Sequence, residues 1–339
     1  MHCPLRLRCD AASLVSNFQR LQRVASVPAG AAIKADGYGL GARQVSRALL
    51  EAGCRDFFVS TWWEASRLGD LPDGSVAVLH GLGPSDRPPP SVRPVLISVQ
   101  QVERWKALPQ PDLPCDVMID TGMNRLGLRP DEIEALKGLT IHTLHSHLVA
   151  ADEDSELNQR QLTIFRALRA AIPAQRYSLA NSAGIFLGPE FAFDLVRPGL
   201  ALYGGVPRAE ARGMIQTVVA LEAQVIQRRN VSRGETVGYS ATFTADSDMA
   251  VAVINIGYAD GYWRGFSSRG SAFFAGEQLP VIGRVSMDLV TLDASAAPGL
   301  REGDWVTLDF ELEESARLSG MSQYELLTGL GCRYERVWA

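Results

Sequence analysis

Lys34 ends an apolar run and precedes a glycine-rich turn in residues 31–41, AAIKADGYGLG. An amine partly buried at such a position is less readily protonated than a free lysine, whose pKa is about 10.4, and becomes a competent nucleophile for a Schiff base. Taken alone, Lys34 reads more readily as a solvated strand-end lysine. Residues 120–127, DTGMNRLG, set Arg125 in a glycine-rich loop, where a guanidinium can grip a carboxylate through two parallel hydrogen bonds. His145 and His147 share one face at the end of another apolar run, and a strand histidine is more often a satisfied core residue than a catalyst. Two further runs end in NSAG, residues 181–184 with Ser182, and in RPGL, residues 197–200 with Arg197, Gly199 and Leu200.

These residues need elements to position them. Short apolar runs at 30–34, 56–60, 76–80, 94–99, 116–120, 141–147, 177–180 and 194–197 are rich in β-branched or apolar residues, as strands covered on both faces must be. Segments of helical period lie between them, at 42–52, 130–137 and 155–171. In the last, Leu157, Leu162, Phe165 and Leu168 mark the expected inward face. Eight strands with intervening helices or loops predict a (β/α)8 TIM-type barrel, and the alternation alone leaves a doubly wound sheet open. Barrel active sites form at C-terminal strand ends, where each singled-out residue lies, and the loops after strands seven and eight commonly bind phosphate.

Past Tyr203 the pattern changes. A polar stretch at 206–213 leads into short Val-rich runs at 215–226, 249–257, 279–285, 289–292 and 305–308, which predict a mostly antiparallel β domain. Only 314–320 and 322–329 look helical there. The five prolines in 83–94 predict an irregular connection. The expected boundaries are 9–210 for the barrel and 211–339 for the β domain, with residues 1–8 candidates to pair with the latter.

Composition narrows the partners. The 339 residues carry a net charge of -5, which provides no basic surface for nucleic acid or anionic membrane, so a small-molecule substrate is expected. Five scattered cysteines, with no CxxC pair, argue against a disulfide framework or a zinc site and suit a reducing compartment. The N-terminus has no apolar signal region, and no run of roughly 18 apolar residues appears. A cytoplasmic protein without a metal is expected.

The segments AAIKADGYGLG, MIDTGMNRLGL, HSHLVAADE, LANSAGI, DLVRPGLALYG, VGYSATFTA, INIGYADGYWR and VIGRVSMDLVTLD resemble, in order, the successive motifs of the alanine racemase family and span residues 31–293. The resemblance implies a barrel that binds pyridoxal 5'-phosphate (PLP), followed by a β domain, and interconversion of L- and D-alanine. It implies that Lys34 holds the cofactor, that Tyr38, Ser182, Gly199 and Leu200 hold its phosphate, and that Arg197 faces the pyridine nitrogen. Arginine does not release its proton to the ring, so the ring remains a weaker electron sink, which suits a racemase. Lys34 would serve one face of the substrate and Tyr239 the other. A phenol with a pKa near 10 needs cationic neighbours to act as a base, and the resemblance places His147 beside it with Arg197 behind.

It further implies that Tyr239, Met287 and Asp288 come from the partner subunit of a homodimer with shared sites, Met287 and Asp288 helping Arg125 bind the carboxylate, and that Tyr258 lines the entrance. Other readings of the same residues are a serine or broad-specificity racemase, a decarboxylase of this architecture, a non-catalytic PLP-binding protein, and a Schiff-base aldolase without PLP. Two departures stand out. Many relatives carry a carbamylated lysine where this chain has Met118, so Arg125 must be oriented some other way. In the closing GCRYERVW, alignment through Arg333 and Arg336 puts Cys332 where relatives place a phosphate-side tyrosine, with Tyr334 close by.

Overall fold

The computed structural model describes residues 3–69, 71, 73–89, 91–109 and 113–339. They form two compact units, one within Ser13–Gln216 and the other made by residues 3–12 with Thr217–Ala339.

In the first unit, seven parallel strands pair in chain order: Ala31–Ala32, Asp56–Val59, Ser75–Val78, Val92–Leu96, Cys115–Met118, Ile141–His145 and Arg176–Ser178. Residues 194–197 close the barrel. On one side Asp194 and Arg197 donate their N–H groups to Tyr177 and Ala180, at 3.0 and 2.9 Å; on the other Gly30 donates to Val196 at 2.9 Å. The closing segment makes one parallel bridge, Ala29 to Val196, rather than a ladder. Pro198 follows it and has no N–H to extend the pairing. Closure removes both sheet edges, so a doubly wound sheet is excluded.

The first strand is shorter than the expected 30–34, because the backbone has left the β region by Ile33, where ψ is 16°, and Lys34 already opens a turn. Pro94 lies inside the strand Val92–Leu96, so the irregular connection ends earlier than its prolines suggest. The expected helix at 130–137 is a 3-10 helix, Pro130–Leu136.

The barrel interior is layered. Phe58, Ala77, Val95, Met118 and Leu195 pack as one apolar cluster, each large side chain contributing roughly 1.5–3 kcal/mol. Toward the N-terminal strand ends lies a charged set. Arg176 grips Asp56 with two hydrogen bonds of 2.9 and 2.6 Å, and Arg93 donates to Asp116 at 3.0 Å.

On the helix Glu156–Ala171, capped by Ser155, the inward residues are Asn158, Gln161, Leu162, Phe165 and Leu168, while Leu157 is exposed. The expected face was therefore misphased at its start. The observed positions follow the three-and-four spacing of one helical face, and the five-residue step from 157 to 162 does not.

In the second unit, the 13-residue strand Val219–Val231 is the spine. It pairs antiparallel with Met249–Ile254 along one stretch and with Trp305–Leu308 and Leu5–Cys9 along another. Glu277–Ile282, Ser271–Phe274 and Val290–Asp293 complete a closed ring of antiparallel strands. Glu335–Trp338 adds parallel to Leu5–Cys9. The spine starts later and runs further than the expected 215–226.

Candidate active site

Lys34 opens a short turn, Lys34–Tyr38, in which Ala35, Asp36, Gly37 and Tyr38 all have φ between 52 and 64°. The left-handed region costs a residue with a Cβ about 1–2 kcal/mol, and such strain persists only where surroundings over-determine it. Here they do. Glu64 accepts the N–H of Ala35 at 2.8 Å, and Asp36 accepts that of Ala42 at 2.9 Å. Lys34 is half-buried, and its amine is pushed below the usual lysine range by burial first and by the nearby Arg125 second, with Glu64 opposing.

Tyr38 is 5% exposed and stacks on the buried Tyr203 with ring centroids 4.5 Å apart. Tyr203 donates its hydroxyl to the Ala32 carbonyl at 2.8 Å, tying the ring pair to the strand that carries Lys34. Gly199 is required here: a Cβ at this position would lie 2.2 Å from the Tyr38 hydroxyl. The Ser182 oxygen accepts N–H bonds from Gly199 and Ala201 at 2.9 and 3.2 Å, and Leu200 is buried beside them. Tyr38, Ser182, Gly199 and Leu200 thus converge into one small cradle of hydroxyl and N–H groups.

Arg197 is buried, donating Nη2 to the Ser146 carbonyl at 2.6 Å and Nη1 to the Ser178 hydroxyl. No carboxylate among the described residues pairs with it, and burial lowers its pKa to about 10. Arg125 is exposed in its loop, also without an ion pair among the described residues. His147 is pushed down to about 3 by burial and then by Arg197, Arg125 and Lys34. It is therefore neutral at pH 7, while Arg197 carries positive charge. His145 is a core residue. Its Nε2 lies 3.2 Å from Asp116, its Nδ1 has no partner, and burial lowers it to about 4 against the Asp116 hydrogen bond. Asp116 stays ionised despite burial because His142, His145 and Arg93 hold its carboxyl well below the usual range.

Lys34, Arg125, His147 and Arg197 therefore form an electrostatically coupled basic set beside a hydroxyl and N–H cradle. Uncompensated charges inside a fold are costly unless an anion completes them. The donor set fits PLP: the cradle suits its phosphate, Lys34 its aldehyde, and Arg197 its ring nitrogen. Met118 is buried in the apolar cluster and offers Arg125 nothing polar.

The remaining candidates belong to the β unit. Tyr239 is 66% exposed and opens a turn in which Ser240 and Ala241 have φ of 61 and 48°, with Arg284 donating to the Ser240 hydroxyl at 2.9 Å. Tyr258 is half-buried. Its N–H donates to Ser286 and that of Ala259 to Met287, both at 3.0 Å, which joins the Tyr258 turn to the Met287–Asp288 segment. Arg333, which the sequence reading used only for alignment, bolts the two together. It grips the buried Asp260 with bonds of 2.6 and 2.7 Å and donates to Asp288 at 2.7 Å. Tyr334 is buried with its hydroxyl unpartnered, and Cys332 is exposed.

The comparisons agree with this geometry. The family pattern described as alanine racemase, N-terminal domain, matches residues 9–207, and that of the C-terminal domain matches 218–338. The chain is 42% identical to the alanine racemase of Brucella abortus (strain 2308), over 98% of its own length and 93% of the relative's. It is also 42% identical to that of Methylobacterium nodulans, over 98% and 95%. A crystal structure of alanine racemase from Bartonella henselae with covalently bound pyridoxal phosphate superposes with a TM-score of 0.91 at 34% identity, covering 100% of both chains. Sequence motifs, two-unit architecture and near-complete coverage converge: the chain belongs to the alanine racemase family.

Proposed function

We propose that this chain interconverts L- and D-alanine with PLP by a two-base mechanism, as a cytoplasmic homodimer with shared sites. The observation that carries this reading is the basic set Lys34, Arg125, His147 and Arg197 beside the cradle of Tyr38, Ser182, Gly199 and Leu200. When bound, PLP withdraws electrons from the substrate α-carbon and so makes its proton removable.

The residues divide the remaining work. Lys34, its amine already shifted toward the neutral form, takes or returns a proton at Nζ on one face. Tyr239 does so at its phenolic oxygen on the other. Arg125 holds the substrate carboxylate, with Met287 and Asp288 assisting and Tyr258 lining the entrance. Arg197 donates hydrogen bonds and keeps its protons, because even a pKa of about 10 leaves it charged at neutral pH. His147, neutral, serves as a hydrogen-bonding group. Support for the homodimer comes from Tyr239 and Met287, 66% and 53% exposed on the β unit, an aromatic ring and a thioether that a partner would cover. Among the described residues no helix is long and apolar enough to cross a membrane.

The test is to incubate the purified PLP-loaded protein with L-alanine and, separately, L-serine, and to resolve the enantiomers chromatographically. D-alanine should accumulate toward an equal mixture, faster than D-serine. Faster serine turnover would shift the reading to a serine racemase, and no D-product from either would end it.

A further inference from the structure

We propose that Gln161 and Thr121 are positioning residues for the substrate carboxylate, holding the Arg125 loop to the loop that carries His147. This rests on the function proposed above. It addresses the task that Met118, packed against Phe58 and Val95, leaves undone.

Gln161 is 2% exposed on a helix face that also carries Asn158, Leu162, Phe165 and Leu168. A polar group so placed has to be hydrogen-bonded, and its partners reveal its task. Its Nε2 donates to the Thr121 hydroxyl and to the His147 carbonyl, each at 2.9 Å, while its Oε1 accepts the N–H of Val149 at 2.9 Å. One side chain therefore spans the loops that follow the fifth and sixth barrel strands. Thr121, also 2% exposed, lies 2.8 Å from the Ser146 hydroxyl. Because its oxygen accepts from Gln161, its own proton is available for Ser146. The Ser146 carbonyl in turn receives Arg197.

The Arg125 loop is internally rigid. Asp120 accepts the N–H groups of Gly122 and Met123 at 2.8 Å, and Leu128 closes the base by donating to Met118 at 2.9 Å. Those bonds set the loop's shape but not its aim. Thr121 supplies the aim, four residues from a guanidinium that has no ion pair of its own among the described residues. Binding groups held this way keep the carboxylate in register without an ordering cost at each encounter.

The experiment compares Thr121→Val, which keeps the shape and loses the hydroxyl, with Thr121→Ser, which keeps the hydroxyl, and adds Gln161→Leu. Each PLP-loaded enzyme is assayed for KM and kcat with L-alanine. Calorimetry measures propionate, which has the substrate's carboxylate and no amine. Thr121→Val should weaken propionate binding and raise KM by about tenfold, with kcat within about threefold and the visible absorbance of bound PLP unchanged. Thr121→Ser should stay within about twofold of wild type. An unchanged propionate affinity in Thr121→Val, equal damage from both Thr121 variants, or a loss that tracks loss of PLP would each overturn the proposal. If Gln161→Leu does not fold, the Thr121 pair decides alone. Wild-type enzyme that does not racemise alanine would remove the proposed function, whereas active wild type with an unaltered Thr121→Val removes only this inference.

Discussion

The barrel unit and the β unit hold their site residues in opposite ways. In the barrel, Tyr38, Ser182 and Arg197 are 5%, 2% and 7% exposed, each pinned by stacking or hydrogen bonds, and Lys34 sits on a strained turn fixed by Glu64 and Asp36. In the β unit, Tyr239 and Met287 are more than half exposed. Only the backbone that carries them is braced, through Arg284 and Arg333. In the barrel neither Arg125 nor Arg197 has a carboxylate paired with it among the described residues, an arrangement that suits an anion. The β unit presents an aromatic ring and a thioether to water, a surface prepared for cover.

That contrast can be broken at either end. Lys34→Ala should abolish retention of PLP, read as visible absorbance after gel filtration, and lower racemisation by at least about 10³-fold; retained turnover would dissociate the barrel site from the chemistry. Tyr239→Phe should keep the absorbance and lower kcat by about 10²–10⁴-fold, the range of one general acid–base group. Verified mixed dimers of Lys34→Ala and Tyr239→Phe chains should regain activity, since one of the two shared sites would then be intact. No recovery would mean that the exposed tyrosine serves its own chain.

Gly199→Ala should be milder. Its Cβ meets the Tyr38 hydroxyl, so overpacking of about 1–3 kcal/mol and weaker PLP retention are expected, measured by denaturant midpoint and absorbance. Wild-type stability with full PLP content would show that the cradle yields.

The most gradual effect is acid sensitivity, and its histidine part belongs to the barrel, because residues 217–339 contain no histidine. His145 titrates at about 4 when folded and near 6.5 when unfolded. Above 6.5 neither state holds the proton, whereas between 6.5 and 4 the unfolded chain takes it and the folded one does not. The His145 contribution to stability should therefore fall as pH drops through that window, by up to about 1.4 kcal/mol per unit, and His147, held at about 3, adds a loss of the same sign that extends further into acid. A denaturant midpoint equal at pH 7 and pH 5 would contradict this.

Much of this was legible in the residues because the informative units are local. Each motif at a strand end is a few residues long, and its order along the chain survives folding unchanged. What the residues concealed came from contacts distant in sequence. Leu157 is apolar but out of phase with the inward face, and Gln161 is polar but in phase with it, so residue type alone points the wrong way at both positions. The charge state of His147 is set by burial and by Arg197, Arg125 and Lys34, which come from three other segments. Arg333 looked like an alignment landmark until folding set it between Asp260 and Asp288.

By itself, the sequence determined the alternation that builds a barrel, the change to β structure beyond Tyr203, and the residue types available for chemistry. These depend on periodicity and side-chain identity, which are properties of neighbours along the chain. Tertiary structure alone decided that residues 194–197 close the barrel, that Gly199 and Tyr38 touch, that His147 is neutral, and that Thr121 and Gln161 hold the Arg125 loop. Electrostatic and hydrogen-bond energies depend on distance and burial through space, and neither is defined until the chain is folded.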